Sequence, residues 1–150
     1  MSINGKLGLG TVQFGLPYGI SNKNGQTSLL EVGKILSTAR SYKLDILDSA
    51  SAYGNSESVI GKNDLSSFKI VSKFMPPVGN NTISTQLQTT MSELKVESIH
   101  GYLAHRPLDI LNHPHQWDEL SKFKQDGKVK KIGFSLNKPE ELEKLLEKSF

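Results

Sequence analysis

Four side chains capable of acid–base chemistry close or follow the short apolar runs of this sequence. Asp48 ends KLDILD, Tyr53 follows it in SASAYGN, Lys73 ends FKIVSK and His105 ends IHGYLAH. A phenol has an unperturbed pKa of about 10, so it is a poor acid at neutral pH unless a nearby cation favours the phenolate. Lys73 is such a cation, and Asp48 would hold it charged and aimed. A ring N–H of His105 could then orient a carbonyl oxygen while Tyr53 donates a proton to that oxygen. The chemistry is reduction of a carbonyl, with negative charge developing on oxygen as hydride arrives at carbon. Side chains cannot supply hydride, so the pattern implies a nicotinamide cofactor.

Each residue taken singly has a plainer reading. Asp48 could cap a turn, Lys73 could be a snorkelling strand-end lysine, His105 a satisfied half-buried histidine and Tyr53 a loop aromatic. Their common position decides the matter: in parallel α/β architectures chemistry gathers at the carboxyl ends of the strands, where loops and helix N-termini meet. Asp48, Lys73, His105 and Ser135 close successive apolar runs, so all four are expected on one rim, with Tyr53 in a loop of that rim.

The elements that must build the rim are legible from periodicity. Strands are expected at residues 7–14 (LGLGTVQF), 43–48, 68–73, 99–105 and 129–135 (VKKIGFS), and helices at 28–42, 56–62, 82–95, 115–127 and 139–150. In the first helix Leu29, Val32, Leu36 and Ala39 recur at helical spacing, with Thr27 or Ser28 as N-cap and Glu31 as a capping-box partner. The last opens on Pro139, a favourable first residue, and sets Leu142, Leu145 and Leu146 on one face. Short apolar runs alternating with helical segments are the signature of repeated βα units and a parallel sheet. Right-handed crossovers place successive strands side by side. A closed (β/α)8 barrel takes about 250 residues. The expected fold class is therefore α/β, of (β/α)8 TIM-barrel type truncated to about five βα units, forming one partial barrel domain over residues 1–150.

Composition narrows the remaining classes. With 18 basic against 15 acidic residues the net charge is +3, too slight to argue for nucleic acid, and the densest basic stretch, KFKQDGKVKK, reads as a solvated helix end and turn. The absence of cysteine excludes disulfides, thiolate catalysis and Cys-ligated zinc. No run approaches the roughly 18 apolar residues of a membrane span, and the start has no signal-like apolar region, so a soluble, cytoplasmic protein is expected. A metal hydrolase built on His100, His105, His113 and His115 is disfavoured because His113 and His115 flank a proline in NHPHQ, a loop context. A dinucleotide fingerprint at Gly8 and Gly10 lacks the third glycine and a following helix.

Five segments, in order and at matching spacing, resemble the aldo-keto reductases: LGLGTVQFG, DSASAYGNSESVIG, VSK, LAHRP and KIGFS. The resemblance implies an NADP(H)-dependent (β/α)8 barrel that reduces small-molecule aldehydes or ketones. It places the family's catalytic tetrad on Asp48, Tyr53, Lys73 and His105, with Tyr53 as proton donor. Gly10 and Thr11 match the first-strand turn near the cofactor, Asp48 also borders it, and Ser135 matches the serine that contacts the nicotinamide amide. The family commonly has asparagine directly after that serine; here Leu136 intervenes before Asn137, which is carried over as a cofactor ligand. Ser49 stands where threonine is usual. The family holds the adenosine phosphates with loops after the seventh and eighth strands, which five units do not include. The alternative reading is therefore a catalytically inactive or binding chain that needs a partner, with self-association through open barrel edges. In the opening stretch, Gly54 and Ser56 are expected to shape the turn and cap the next helix, and Glu57 to supply helix N-terminal charge without a catalytic role.

Overall fold

A computed structural model describes residues 7–148. Five strands, β1 (Leu9–Gly10), β2 (Ile46–Asp48), β3 (Lys69–Phe74), β4 (Ile99–Ala104) and β5 (Val129–Phe134), pair in parallel in the order β1-β2-β3-β4-β5. The chain between them forms α1 (Val12–Gly15), α2 (Leu29–Ser41), α3 (Ser56–Ile60), α4 (Ile83–Leu94), α5 (Asp109–Asn112) and α6 (His115–Gln125), and α7 (Pro139–Leu146) follows β5. The result is one open sheet of five βα units, the truncated barrel expected from the sequence.

Alternation along the strands sorts residues onto two faces. Leu47, Ile70, Ser72, Phe74, Tyr102 and Ala104 are buried on the face covered by helices, where they meet Val32 and Leu36 of α2, Ile60 of α3, Ile83 and Leu87 of α4 and Leu120 of α6. Each such fully buried aliphatic or aromatic side chain contributes about 1.5–3 kcal/mol relative to exposure. The opposite face carries Asp48, Val71, Lys73 and Leu103. Its register runs Asp48 to Val71, Val71 to Gly101 and Gly101 to Lys131 across four strands. A Cβ on Gly101 would come within 3.2 Å of a Val71 methyl, so this layer closes by setting a glycine beside a branched neighbour.

The starts of α2 and α4 follow the capping residues in the sequence, whereas Ser56, expected to cap α3, is its first residue and the N-cap Asn55 makes no side-chain cap bond. Ser28 Oγ accepts from the Glu31 amide at the start of α2, and Thr82 Oγ1 accepts from the Thr85 amide at the start of α4. Glu31 does not complete a capping box through its side chain; it pairs with Lys34 at 3.4 Å instead. Past the end of β3, the buried amide of Gln86 takes the place of a neighbouring strand. Its Oε1 accepts from the Met75 N–H and its Nε2 donates to the Met75 carbonyl, both at 2.9 Å.

The expected strand at residues 7–14 is corrected: only Leu9–Gly10 is extended, and α1 follows at once. The buried positions there are Thr11, Phe14 and Gly15, a spacing of helical type, and the Phe14 N–H donates to the Thr11 carbonyl at 2.9 Å. Strand β2 starts later than expected because Lys43 lies in the left-handed region (φ 58) just beyond α2. On α2 the buried face is Val32, Leu36 and Ala39, whereas Leu29 is largely exposed. On α7 only Leu145 is buried, and Leu142 and Leu146 face outward. The last two positions of that expected helix lie outside the described residues. The short α5 was not anticipated; Ile110, fully buried, anchors it.

Candidate active site

Asp48 is the last residue of β2, and Lys73 is the penultimate residue of the adjacent β3. The pleat turns both to the face away from the helices, and the Lys73 ammonium donates to Asp48 Oδ1 at 2.5 Å and to the Ser49 carbonyl at 2.8 Å. Lys73 is only 5% exposed, so burial of its charge is offset by a carboxylate and a carbonyl in direct contact. Asp48 is more open, with its side chain 42% exposed. The pair therefore leans out toward the rim and does not sit in a sealed interior.

Tyr53 arrives from the turn after β2. The Lys73 Nζ lies 5.1 Å from the centroid of its ring, within cation–π range. His105 follows the end of β4, where its N–H extends the ladder by donating to the Phe74 carbonyl at 3.0 Å. Its imidazole meets the Tyr53 ring edge-on, centroids 5.8 Å apart and planes at 82°. The four expected residues thus converge: Asp48 to Lys73 by an ion pair, Lys73 to Tyr53 over the ring, and Tyr53 to His105 by an aromatic edge.

The electrostatics distinguish His105 from a surface histidine. Burial, then the Lys73 and Arg106 charges, push its pKa below the ordinary imidazole value, and Asp48 opposes them only in part. The ring is consequently neutral at neutral pH. Its Nδ1 is buried and unpartnered among the described residues. With no acceptor at that atom, a neutral ring is better served by carrying its proton on Nε2.

The turn that carries Tyr53 is fixed on two sides. On one side Gly15 of α1 packs so closely that a Cβ there would fall 1.8 Å from the Tyr53 carbonyl oxygen. A Cβ on Gly54, which has φ +58, would fall 2.5 Å from the Gly15 carbonyl oxygen. Two bare backbones therefore meet where any side chain would block the approach. Ser56 Oγ donates toward the Thr11 carbonyl at 2.9 Å and lies 3.0 Å from Thr11 Oγ1, which in turn donates to the Asp48 carbonyl at 3.0 Å. On the other side stands Glu57, 3% exposed. Its Oε1 accepts from Ser72 Oγ at 2.5 Å and its Oε2 from Thr90 Oγ1 at 3.0 Å. Burial raises its pKa, and the two hydroxyl donors resist that shift.

One sequence expectation changes here, at Glu57. Thr11 is fully buried, its hydroxyl, N–H and carbonyl are all engaged within the fold, and its side chain tethers β1 to β2. Glu57 is not a solvated charge at a helix N-terminus but a buried bridge from α3 to β3 and α4. The signal for it was present: Glu57 precedes Ile60 and Gly61 by three and four positions, and those two residues are buried on the same flank. Of the remaining expected cofactor positions, Gly10 is exposed at the end of β1, and nothing lies within 4 Å of where its Cβ would be. Ser135 continues the β5 ladder through an N–H to the Ala104 carbonyl at 3.0 Å. Asn137 is exposed, and its backbone N–H donates to Glu141 Oε2 at 2.7 Å.

The histidines weighed as metal ligands do not gather. His100 and His105 lie at opposite ends of β4, and His113 and His115 contact each other at 6.1 Å between ring centroids beside α5 and α6. Among the described residues no group of three or more carboxylate or imidazole side chains is placed to hold a metal ion. None of the described helices is long and apolar enough to cross a membrane.

Residues 6–150 match the sequence profile of the Aldo/keto reductase family. Among solved structures, the chain is similar to a provisionally assigned aldo-keto reductase from Pseudomonas aeruginosa, with 27% identity and a TM-score of 0.72 over 85% of this chain and 54% of that one. An aldo-keto reductase from Klebsiella pneumoniae solved with NADPH gives 21% identity and a TM-score of 0.71, covering 93% of this chain and 48% of that one. A thermostable aldo-keto reductase solved with the inhibitor epalrestat gives 24% identity and a TM-score of 0.68, covering 95% of this chain and 53% of that one. The chain thus spans about half the length of the structures it resembles. Comparison with curated proteins yields no match.

Proposed function

The chain belongs to the Aldo/keto reductase family, and from that premise we propose that it carries the catalytic and nicotinamide side of an NAD(P)H-dependent oxidoreductase reducing an aldehyde or ketone to an alcohol. One observation carries the reading: the buried Lys73 ammonium contacts the Asp48 carboxylate and lies within cation–π range of the Tyr53 ring, which the His105 imidazole meets edge-on.

The roles follow from the charges. Asp48 and the Ser49 carbonyl hold the Lys73 ammonium in place and aimed. The Lys73 ammonium stands 5.1 Å from the centroid of the Tyr53 ring, and the Tyr53 hydroxyl is the group that would donate a proton to the carbonyl oxygen of the substrate. His105, neutral for the reasons given above, offers an N–H to that oxygen without competing as an acid, and so orients the carbonyl and stabilises charge growing on it.

The residues present fit the nicotinamide end of NADP(H). Gly10 is exposed with nothing within 4 Å of where its Cβ would be, and Asp48 and Ser135 offer an acceptor and a hydroxyl at the carboxyl ends of their strands, with Asn137 beyond them. The bound cofactor would supply the hydride. The NADPH complex of the Klebsiella protein supports this choice of cofactor.

The test is a fluorescence titration of the purified chain with NADPH, followed by aldehyde turnover by wild type and Tyr53→Phe. General-acid catalysis contributes typically about 10²–10⁴-fold. Tyr53→Phe is expected to lose turnover by that factor while binding NADPH as before, and equal turnover would remove Tyr53 from the role of acid. A second reading, in which the chain serves as a binding subunit, is favoured by the sheet itself: among the described residues β1 and β5 each have one strand neighbour, and Ile46, Val71 and Leu103 on the inner face are only half-buried. Absence of both NADPH binding and turnover would select it.

A further inference from the structure

We infer that Glu57 is a positioning residue for the site, a buried two-armed bridge that sets the distance between the Tyr53 turn and the strand that carries Lys73. The inference rests on the reading of Tyr53 as proton donor. It goes beyond that reading in assigning a role to a carboxylate on the opposite side of the sheet from the reacting groups.

The connectivity is short and direct. Glu57 is the second residue of α3, and the turn bearing Tyr53 leads into that helix; the Ser56 N–H donates to the Tyr53 carbonyl at 3.1 Å. Ser72, which receives one arm of the bridge, is the immediate neighbour of Lys73, pleated to the helix side while Lys73 points to the site. Displacement of α3 relative to β3 therefore moves the Tyr53 turn relative to Lys73. The second arm, to Thr90 of α4, fixes the carboxylate between two elements and leaves each oxygen a donor. Gly61, just past α3, is pressed against α4, where a Cβ would fall 2.0 Å from the Glu93 carbonyl oxygen. Helix α3 is thus seated against α1 and α4 by backbone contact, and against β3 by the carboxylate.

The energetic logic favours a role of this kind. A 3% exposed carboxylate raised in pKa by burial, with Glu93 adding like charge and Lys73 opposing it, costs stability that an apolar side chain of the same size would not. Its contribution is geometric, through two short directional bonds where a leucine would pack without direction.

Two substitutions separate geometry from bulk and charge. Glu57→Gln keeps the length and a pair of polar arms, whereas Glu57→Leu keeps the approximate volume and loses both. The primary measurement is the nuclear Overhauser contact between the Tyr53 and His105 ring protons, which needs neither cofactor nor turnover. It is expected to persist in Glu57→Gln and to weaken or vanish in Glu57→Leu while far-UV dichroism shows both folded. In an active preparation kcat of Glu57→Leu should fall by up to about 100-fold, as misplacement of a reacting group by about 1 Å can cause, with KM nearly unchanged and Glu57→Gln restoring most of the loss. If Glu57→Leu does not fold, Ser72→Ala, which removes only the β3 arm, takes its place and is expected to weaken the same ring contact. A wild-type ring contact in the folded leucine or alanine variant overturns the inference, as does equal loss in the glutamine variant. Should Tyr53→Phe turn over like wild type, the proton-donor reading fails on its own, and the ring-contact result still decides whether Glu57 sets the turn.

Discussion

The turn bearing Tyr53 and the segment bearing Ser135 and Asn137 sit on the same rim, yet they are held in opposite ways. The first is gripped from both flanks: bare backbone at Gly15 and Gly54 on one, the buried Glu57 bridge on the other. The second leaves β5 along the surface, with Leu136 40% exposed and the Asn137 and Lys138 amides both resting on the Glu141 carboxylate. Those two amides hold the Glu141 pKa below the ordinary glutamate value, so the cap is an ionic one at neutral pH. The contrast separates two demands on a site of this kind. The group proposed to deliver a proton is locked by packing, whereas those proposed to meet a cofactor lie in a segment held by an exposed loop and one carboxylate cap.

The contrast can be broken most severely at Gly15. Gly15→Ala drives a methyl into the Tyr53 carbonyl, and overpacking of this kind costs typically about 1–3 kcal/mol. With backbone on both sides of the contact, the cost is expected at or above the upper end of that range, read as a lowered urea midpoint at unchanged slope. An unaffected midpoint would mean that the turn is not clamped at all.

Protonation gives the next effects, with opposite signs. His105 has a folded pKa below its unfolded value of 6.5, so its contribution to stability is complete above about that pH and is lost as pH falls through the folded pKa. Urea midpoints of wild type relative to His105→Gln should therefore decline on acidification from neutrality. Glu57 has a folded pKa above its unfolded value of 4.5, so its favourable contribution is complete below that pH and is lost as pH rises through the raised value. Wild type should accordingly gain on Glu57→Gln as pH is lowered toward about 4.5, the reverse of the trend set by His105. A parallel pair of curves would show that one of these two groups is not buried as described.

The smallest effect is expected at the other end of the comparison. Asn137→Ala alters an exposed side chain with its backbone bond to Glu141 left in place, so its unfolding free energy should stay within about 0.5 kcal/mol of wild type. A loss as large as that of Gly15→Ala would erase the distinction between the two segments.

Much of this was legible in the sequence because it rests on local periodicity and on strand ends. LDILD and FKIVSK show their own alternation, and Asp48 and Lys73 met because adjacent parallel strands bring their carboxyl ends together. The α2 caps and the core triplet Val32, Leu36 and Ala39 follow from spacing alone. What escaped was of two kinds. The stretch after Gly10 is rich enough in apolar residues to pass for a strand, and only the buried positions Thr11, Phe14 and Gly15 reveal a helical turn. The other kind is polar groups whose partners lie far along the chain: Glu57 with Thr90, and Gln86 with the Met75 backbone. A glutamate or glutamine on a helix ordinarily faces water, and although Glu57 shares a flank with Ile60 and Gly61, nothing local names the distant group that it or Gln86 meets.

The contact of Gly15 with the Tyr53 turn also defines what could be transplanted. A designer wishing to move the Tyr53 turn into another scaffold could not lift residues 48–60 alone, because bare backbone at Gly54 meets bare backbone at Gly15. Residues 11–15 would have to travel with it, although the Ser56 and Thr11 that join the two pieces stand 45 positions apart. The smallest portable unit is discontinuous, and Gly15 and Gly54 are the two places in it where no other amino acid can be written.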